Sequence, residues 1–275
     1  MIPYAWMGGL ALVVLWVNTL LVAAVALKSA AWIRRHRMPR RLTAPSSGDG
    51  LAMVQVESGG GPDGHLADHR IEQRGRKLSG DEAAIGWHDR QFQSRVYGGR
   101  ARWAGVPVQV QPPGEEAEVE VWPDRDTQLR RAALPERAAL DDALERARRA
   151  KGELREVVVP VAPGDTAWIA GRFREVDDGF VVTAPEDGPL LVSRVDPRAW
   201  AAAAQSRLLA FAVAVVAIAG GITALCLVPP AFGTASTIGG ALALGFFLLV
   251  QPAGTWIRDR MLPPPHRPLE GRWSA

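Results

Sequence analysis

The sequence predicts an α+β membrane protein with three transmembrane helices. A small, mostly antiparallel β domain with one amphipathic helix is predicted between the first and second of these helices. Two apolar stretches predict the transmembrane helices, because no acidic or basic side chain occurs in residues 1–27 or 208–257. Apolar and polar residues alternate between these stretches, and this is the period of a strand with one buried face. The single cysteine, Cys226, excludes a disulfide scaffold.

The first stretch predicts a transmembrane helix over residues 1–33, because about 20 apolar residues cross the roughly 30 Å of bilayer hydrocarbon. The next segment, residues 34–50, is predicted to be a basic juxtamembrane segment and linker. A signal peptide carries its positive charge before the apolar run, so the opposite order here favours a retained helix with its N-terminus outside. The arginines that follow the helix are Arg34, Arg35, Arg37, Arg40 and Arg41.

The second stretch predicts a helical hairpin, because it is too long for one span and Pro229 and Pro230 interrupt it. The predicted parts are a helix at residues 208–228, a helix at residues 234–257 and a tail at residues 258–275. The basic residues that flank the hairpin are Arg207, Arg258 and Arg260. Positive charge favours the cytoplasmic side of a membrane. The chain is therefore predicted to be a multi-pass protein of the cell membrane, with its central domain and its tail in the cytoplasm.

Small residues with a spacing of four lie along the last predicted helix. They are Gly233, Thr237, Ala241 and Gly245. Such a row lets two helices approach closely, so a homo-oligomer through this face is one interpretation. The alternative is that glycine and alanine are simply common in this chain.

The central domain, residues 51–204, is predicted to consist mainly of short strands. Its first strand is expected at residues 51–56, and a hairpin of two strands is expected around Pro112-Pro113-Gly114. An amphipathic helix is predicted at residues 135–150. The strands expected after it cover residues 157–161, 166–176, 180–183 and 190–193. Asp178-Gly179 predicts a hairpin turn of type I′, in which both central residues need positive φ.

The residues from Leu154 to Gly171, followed by Leu190-Leu-Val-Ser193 before a membrane hairpin, resemble the GIDE domain, also called "beside a membrane". The resemblance extends from about Leu134 to Trp200. An acidic residue, a Pro-Gly-Asp turn and a strand that ends in glycine carry it. These family-motif positions are Glu156, Pro163, Gly164, Asp165 and Gly171.

The resemblance implies a membrane-proximal β domain between spans, of the kind found in prokaryotic membrane proteins, with a role in binding or sensing at the membrane surface. The best-known members are mitochondrial E3 ubiquitin ligases with a RING finger after the last span. A RING finger needs eight Cys or His ligands for zinc, and this chain has only His266 after Trp256. Ligase activity is therefore not implied for this chain.

Two further patterns suggest ligand or metal binding in the part of the domain that precedes the GIDE-like residues. Residues 59–64 match G-x-G-x-x-G, but Pro62 removes an N–H from a phosphate cradle, so a loop is favoured over dinucleotide binding. His65 and His69 would lie on one face of a helix and, with His88, would form a metal site. Solvated surface histidines are the alternative interpretation.

The net charge of +3 is the sum of basic membrane-flanking segments and an acidic remainder. Lys28 and the five arginines after the first span carry +6, the tail carries +2, and the remainder carries −5. The domain is therefore mildly acidic, and nucleic-acid binding loses its electrostatic basis. The basic flanks suit anionic lipid headgroups.

These observations favour a non-catalytic scaffold or sensor that binds lipid or an unknown protein partner and needs no cofactor. The alternative hypothesis is a membrane-bound enzyme or enzyme subunit. It would be metal-dependent or part of a ubiquitin-ligase-like system without its own RING finger.

Overall fold

The computed structural model describes residues 3–35, 40–77, 85–132, 154–229 and 233–266. The chain has α+β architecture and divides into two compact units. Within the described residues, the helical unit contains three long helices. Over the same ranges, the β unit contains ten strands, one short helix and the segment that follows the last long helix.

The long helices are α1 (Pro3–Arg35), α3 (Pro197–Cys226) and α4 (Thr234–Arg260). Three segments within them are long and apolar enough to cross a membrane: Ala11–Ile33, Pro197–Cys226 and Thr234–Arg260. The prediction of three such helices is confirmed. α3 covers most of the predicted span at residues 208–228 and begins earlier, at Pro197, within the range of residues 51–204 predicted for the β domain. Alanines at positions 201–204 extend this helix, since alanine has the highest helix propensity.

Small side chains form the contacts between the long helices. Ala23, Ala26 and Ala30 of α1 belong to one cluster with Ala204 and Ala212 of α3. A Cβ atom on Gly239 would lie 2.8 Å from the Cys226 backbone nitrogen, so this glycine is required for close approach. The four residues of the predicted small-residue row lie elsewhere on α4 and are all partly or fully exposed.

The ten strands of the β unit form two sheets. They are β1 (Gly48–Gly59), β2 (Ala67–Lys77), β3 (Ile85–Val96), β4 (Gly99–Trp103), β5 (Val106–Val110), β6 (Val119–Trp122), β7 (Leu154–Val161), β8 (Thr166–Val176), β9 (Gly179–Thr183) and β10 (Leu190–Ser193). The larger sheet has the order β1-β4-β5-β9-β8-β10-β6, and β1 also pairs with β8. That additional pairing closes a five-stranded barrel of β1, β4, β5, β9 and β8, and β10 and β6 extend from it. The smaller sheet has the order β3-β2-β7.

The barrel interior contains the core that the alternating pattern predicts. Val54 and Val56 of β1 point inward with Val108 and Val110 of β5, and all four are buried. Trp103 packs against Phe173, with 5.0 Å between ring centroids. Apart from the parallel pairs β5–β9 and β6–β10, the named strands pair antiparallel. The prediction of a mostly antiparallel domain is confirmed.

The predicted hairpin around Pro112-Pro113-Gly114 is wrong. β5 pairs with β4 and β9, whereas β6 pairs with β10 at the opposite edge of the sheet. The strand that forms a hairpin with β5 is instead β4, and the two-residue turn between them is Ala104-Gly105, with φ of +49° and +89°. The alternation of apolar and polar residues along a strand shows which face is buried, but it does not identify the neighbouring strand.

The hairpin near Asp178 is present, but its turn differs from the prediction. Val176 pairs with Gly179, so Asp177 and Asp178 form the turn, and neither has a positive φ. Gly179 is needed for another reason, since a Cβ there would lie 2.2 Å from the Pro107 carbonyl oxygen.

A short helix, α2 (Arg125–Ala132), follows β6. Asp124 caps it, because Asp124 Oδ1 accepts a hydrogen bond from the backbone N–H of Asp126 at 2.9 Å. The amphipathic helix predicted at residues 135–150 lies outside the described residues.

Candidate functional site

The Pro163-Gly164-Asp165 turn connects β7 to β8 and fastens them to β1. Gly164, at φ +88°, donates its N–H to the Val56 carbonyl, and the Val56 N–H donates to the Asp165 carbonyl. The Asp165 carboxylate accepts hydrogen bonds from the Ala162 N–H at 2.9 Å and from Arg194 at 3.0 Å. These motif residues therefore hold the fold together.

The other two family-motif residues are structural as well. A Cβ on Gly171 would lie 2.6 Å from the Thr183 carbonyl oxygen, so only glycine fits between β8 and β9. Glu156 on β7 is half exposed and lies 3.5 Å from Arg70. Arg70 also bonds the buried carboxylate of Asp68 at 3.0 Å, and Tyr97 donates to the same carboxylate at 2.8 Å. Hydrogen bonds to Asp68 and Tyr97 raise the pKa of Arg70, so this cluster stays charged and paired.

The three predicted metal ligands do not come together. His65 follows a single 3-10 turn (Pro62–Gly64), and His69 lies in β2, so the predicted shared helix face does not exist. His88 pairs with Arg74, five positions along β2 from His69 and so about 17 Å away. Over the described ranges, no group of three or more His, Cys, Asp or Glu side chains is placed to hold a metal ion. The Gly59–Gly64 loop likewise opens no helix that would receive a phosphate.

His69 lies in a different and more informative environment. Its side chain is fully buried on β2 and stacks on Phe92 of β3, with 5.9 Å between centroids and 15° between planes. Its Nδ1 atom lies 3.5 Å from Ser94 Oγ, which accepts a hydrogen bond from the Val121 N–H at 3.0 Å. Its Nε2 atom has no hydrogen-bond partner among the residues that the structure describes. Buried polar atoms are nearly always paired, so an unpaired one needs a reason.

A cavity of about 280 Å³ lies beside His69. Phe92 and Ser94 of β3 form one wall, and Glu118, Val119 and Glu120 at the start of β6 form another. Pro265 and His266 close it. They belong to a 3-10 turn (Pro264–His266) that follows α4, and the His266 ring meets the Phe92 ring edge-on at 6.3 Å.

The charges around this cavity, hereafter the His69 pocket, are unevenly distributed. Burial, followed by the positive charge of His266, lowers the pKa of His69 to about 4, and Asp68 partly opposes the shift. The His69 imidazole is therefore neutral near pH 7 and carries a single N–H. Glu118 and Glu120 are carboxylates at the mouth, and Glu120 accepts a hydrogen bond from Trp122 Nε1 at 2.8 Å.

Sequence reasoning singled out His69 but gave it the wrong neighbours. The residues that accompany it come from β3, β6 and the segment after α4, which no local pattern connects. Glu118 and Glu120 alternate with Val119 and Val121, a pattern that by itself predicts only a solvated side of a strand. One available signal was the run Pro263-Pro264-Pro265 before His266, because three consecutive prolines restrict a tail to a narrow range of conformations.

The predicted lipid-binding arginines are only partly described. Arg34 and Arg35 end α1, their side chains are outside the description, and Arg37 lies in the undescribed residues 36–39. Arg40 is exposed, whereas Arg41 stacks over Trp168 at 4.5 Å and lies 3.9 Å from Asp196. Beyond the hairpin, Arg258 pairs with Asp259 at 2.9 Å, and Arg260 stacks over Trp256 at 4.2 Å.

Comparisons with protein-family models, with curated proteins and with solved structures find no match to this chain. The resemblance to the GIDE domain stays a prediction that rests on the residues quoted for it.

Proposed function

We propose that the chain is a multi-pass protein of the cell membrane whose β unit is a cytoplasmic, GIDE-like, non-catalytic binding domain that acts as a scaffold or sensor. The observation that carries the binding role is the His69 pocket, a cavity whose lining includes a buried histidine with one unpaired imidazole nitrogen. The ligands of such a domain are lipid headgroups or a protein partner. Each part of this proposal has its own support.

The outward faces of the long helices support membrane insertion. Val213 is 70% exposed, Leu249 is 68% exposed and Leu21 is 59% exposed. Burying one such side chain is worth about 1.5–3 kcal/mol, so covering many of them with lipid stabilises the helices strongly. Some polar side chains bond each other inside the helical unit: Gln251 donates to Asn18 at 2.7 Å, and Trp16 donates to Thr223 at 3.0 Å.

The segment after α4 supports the predicted topology. Pro263, Pro264 and Pro265 are buried within the β unit. A helical hairpin returns the chain to the side from which it started, so the domain before α3 and the tail after α4 share one side. The arginines that follow α1 and α4 favour the cytoplasm for that side.

The lipid part of the proposal rests on charge and connectivity. Arg40 is exposed and follows the end of α1 by only five residues. A basic residue near an anionic bilayer surface contributes about 1 kcal/mol to binding. Arg41 contributes less, because it already stacks on Trp168.

The non-catalytic character follows from how the reactive groups are used. Ser94 Oγ is the only hydroxyl placed beside His69 in the described residues, and it already accepts a backbone hydrogen bond. A nucleophile would need a base that removes its proton. Burial keeps the pKa of His69 near 4, which makes it a weak base.

Photo-crosslinking in intact membranes tests the binding role. A benzoylphenylalanine at Met53 or at Leu154, which are 50% and 55% exposed on the β unit, should capture a discrete adduct of one mass. The matched control at Val213 should capture only lipid. No adduct from either β-unit position would contradict the proposal. Stoichiometric zinc or iron in the purified full-length chain would favour the metal-dependent enzyme instead.

Self-association through the exposed small-residue row of α4 belongs to the same proposal. Gly240 and Gly245 both face open space within one chain, but only Gly245 belongs to the row. Gly245→Leu should therefore abolish a chemically crosslinked dimer, and Gly240→Leu should leave it intact. Equal loss in both variants, or a dimer that survives Gly245→Leu, would contradict this interface.

A further inference from the structure

We propose that the His69 pocket binds a small organic ammonium ion that also carries an oxygen substituent, the chemistry of an amino alcohol. The proposal deepens the binding role given above and rests on it. Four features of the pocket define the ligand: its volume, its apolar wall, its two carboxylates and the unpaired imidazole nitrogen of His69, a lining residue.

The volume restricts the ligand to a few heavy atoms. Small-molecule sites in proteins usually measure about 300–1,000 Å³, so this cavity of about 280 Å³ lies at the lower end. It suits a headgroup or a metabolite fragment rather than a nucleotide. Phe92 and Pro265 supply an apolar wall for two or three ligand carbons.

The mouth determines the charge of the ligand. Glu118 and Glu120 are two positions apart, so alternation along β6 places their side chains on the same face. His69 stays neutral beside them, so two carboxylates face one other ionisable side chain of the lining, His266, and negative charge predominates. An ammonium group is attracted there, whereas an anion that carries no ammonium group is repelled.

The imidazole determines the second polar group of the ligand. Ser94 Oγ already accepts the Val121 N–H, so its own hydroxyl hydrogen is free to be donated to His69 Nδ1. Nε2 then carries the imidazole proton and needs an acceptor. A buried polar group without a partner destabilises the fold, and a ligand oxygen that accepts a hydrogen bond from it removes that cost.

A metal ion fits the described residues less well. No three potential ligands among them have the necessary placement. An organic cation needs no fixed coordination geometry and makes use of the apolar wall.

Ethanolamine is the probe for the first test, with the purified full-length chain in detergent and calorimetry as the readout. Propylammonium lacks the oxygen and ethylene glycol lacks the charge. We expect propylammonium to bind at least fivefold more weakly than ethanolamine and ethylene glycol not to bind. Equal binding of all three probes, or no binding of ethanolamine, would overturn the proposal. Zinc binding at one equivalent that displaces ethanolamine would also overturn it in favour of a metal site.

Variants connect binding to the named groups. The double variant Glu118→Gln/Glu120→Gln should weaken ethanolamine binding at least tenfold. The matched control is Glu115→Gln, an exposed carboxylate of the same loop that does not line the pocket. His69→Leu should abolish the preference for ethanolamine over propylammonium without lowering the thermal stability of the free chain, because it removes an unpaired polar atom. A preference that survives His69→Leu would contradict the role of Nε2.

Nanodiscs distinguish the two sources of this chemistry. If the ligand is a phospholipid headgroup, phosphatidylethanolamine should weaken the binding of free ethanolamine several-fold relative to phosphatidylglycerol alone. If it is a free amino alcohol, the two bilayers should give the same affinity. A chain that binds no ethanolamine but still gives a discrete crosslink from Met53 would lose only this proposal and would keep its role as a binding domain.

Discussion

His69 of β2 and His266 after α4 contact the same aromatic ring, that of Phe92, one by stacking and the other edge-on. The two histidines are thus joined by a cavity although nearly the whole domain and the helical hairpin separate them in sequence. The segment after α4 is therefore a wall of the pocket. Whatever binds beside His69 also touches this segment of the β unit.

Stability of β2 should fall as the pH falls from about 6.5 to about 4. Burial lowers the pKa of His69 to about 4 from its ordinary 6.5, so the unfolded chain binds an additional proton between these values. The stabilisation is complete above pH 6.5 and is lost by pH 4, and it amounts to roughly 3 kcal/mol. Hydrogen exchange of β2 amides in the full-length chain measures it. His69→Leu should remove this pH dependence, and an unchanged profile in that variant would contradict the assignment.

Truncation after Leu262 should open the pocket. Removing Pro265 and His266 takes away one wall, so amides of β3 and β6 should exchange faster, whereas those of β4 and β5 should not change. Truncation after His266 is the matched control, because it keeps the wall. The same exchange rates in both truncated chains would show that the segment does not dock.

Cysteine labelling should reveal the side on which each segment lies. The native Cys226 is first replaced by serine, which is of similar size. Thr234→Cys at the start of α4 should then react with a membrane-impermeant maleimide in intact cells. Asp63→Cys in the β unit should react only after permeabilisation. The reverse pattern would contradict the predicted orientation.

Gly171→Ala should destabilise the β unit by about 1–3 kcal/mol, the usual cost of overpacking. The added Cβ would lie 2.6 Å from the Thr183 carbonyl oxygen and would push β8 away from β9. Gly114→Ala is the control, because its Cβ would face open space. Urea unfolding followed by tryptophan fluorescence compares the two variants. Equal urea midpoints for the two variants would show that β8 and β9 accommodate the added Cβ without loss of stability.

Some elements were predictable because their signals are local. An apolar run without charge predicts a long helix from composition alone, and α1 and α4 appear where such runs lie. Val54, Val56, Val108 and Val110 alternate with polar residues, and all four are buried as that pattern predicts. The Pro-Gly-Asp turn was also predictable, because proline and glycine restrict the backbone within a few residues.

Strand neighbours were not predictable by the same reasoning. β5 and β6 follow each other with a proline-rich turn between them, yet they lie on different parts of the sheet. Only the pairing of β1 with both β4 and β8 closes the barrel. Backbone hydrogen bonds between strands do not depend on residue type. The free energy of packing the whole core therefore determines which strands pair.

The sequence by itself determined the three long apolar helices, the alternation that buries one face of each strand and the distribution of charge along the chain. These properties depend on the hydrophobicity and spacing of neighbouring residues. The tertiary structure alone decided that His69 meets Glu118, Glu120 and His266 around one cavity. Long-range packing determines these contacts. The pKa and the hydrogen-bond partners of a buried side chain depend on the segments that the fold packs against it.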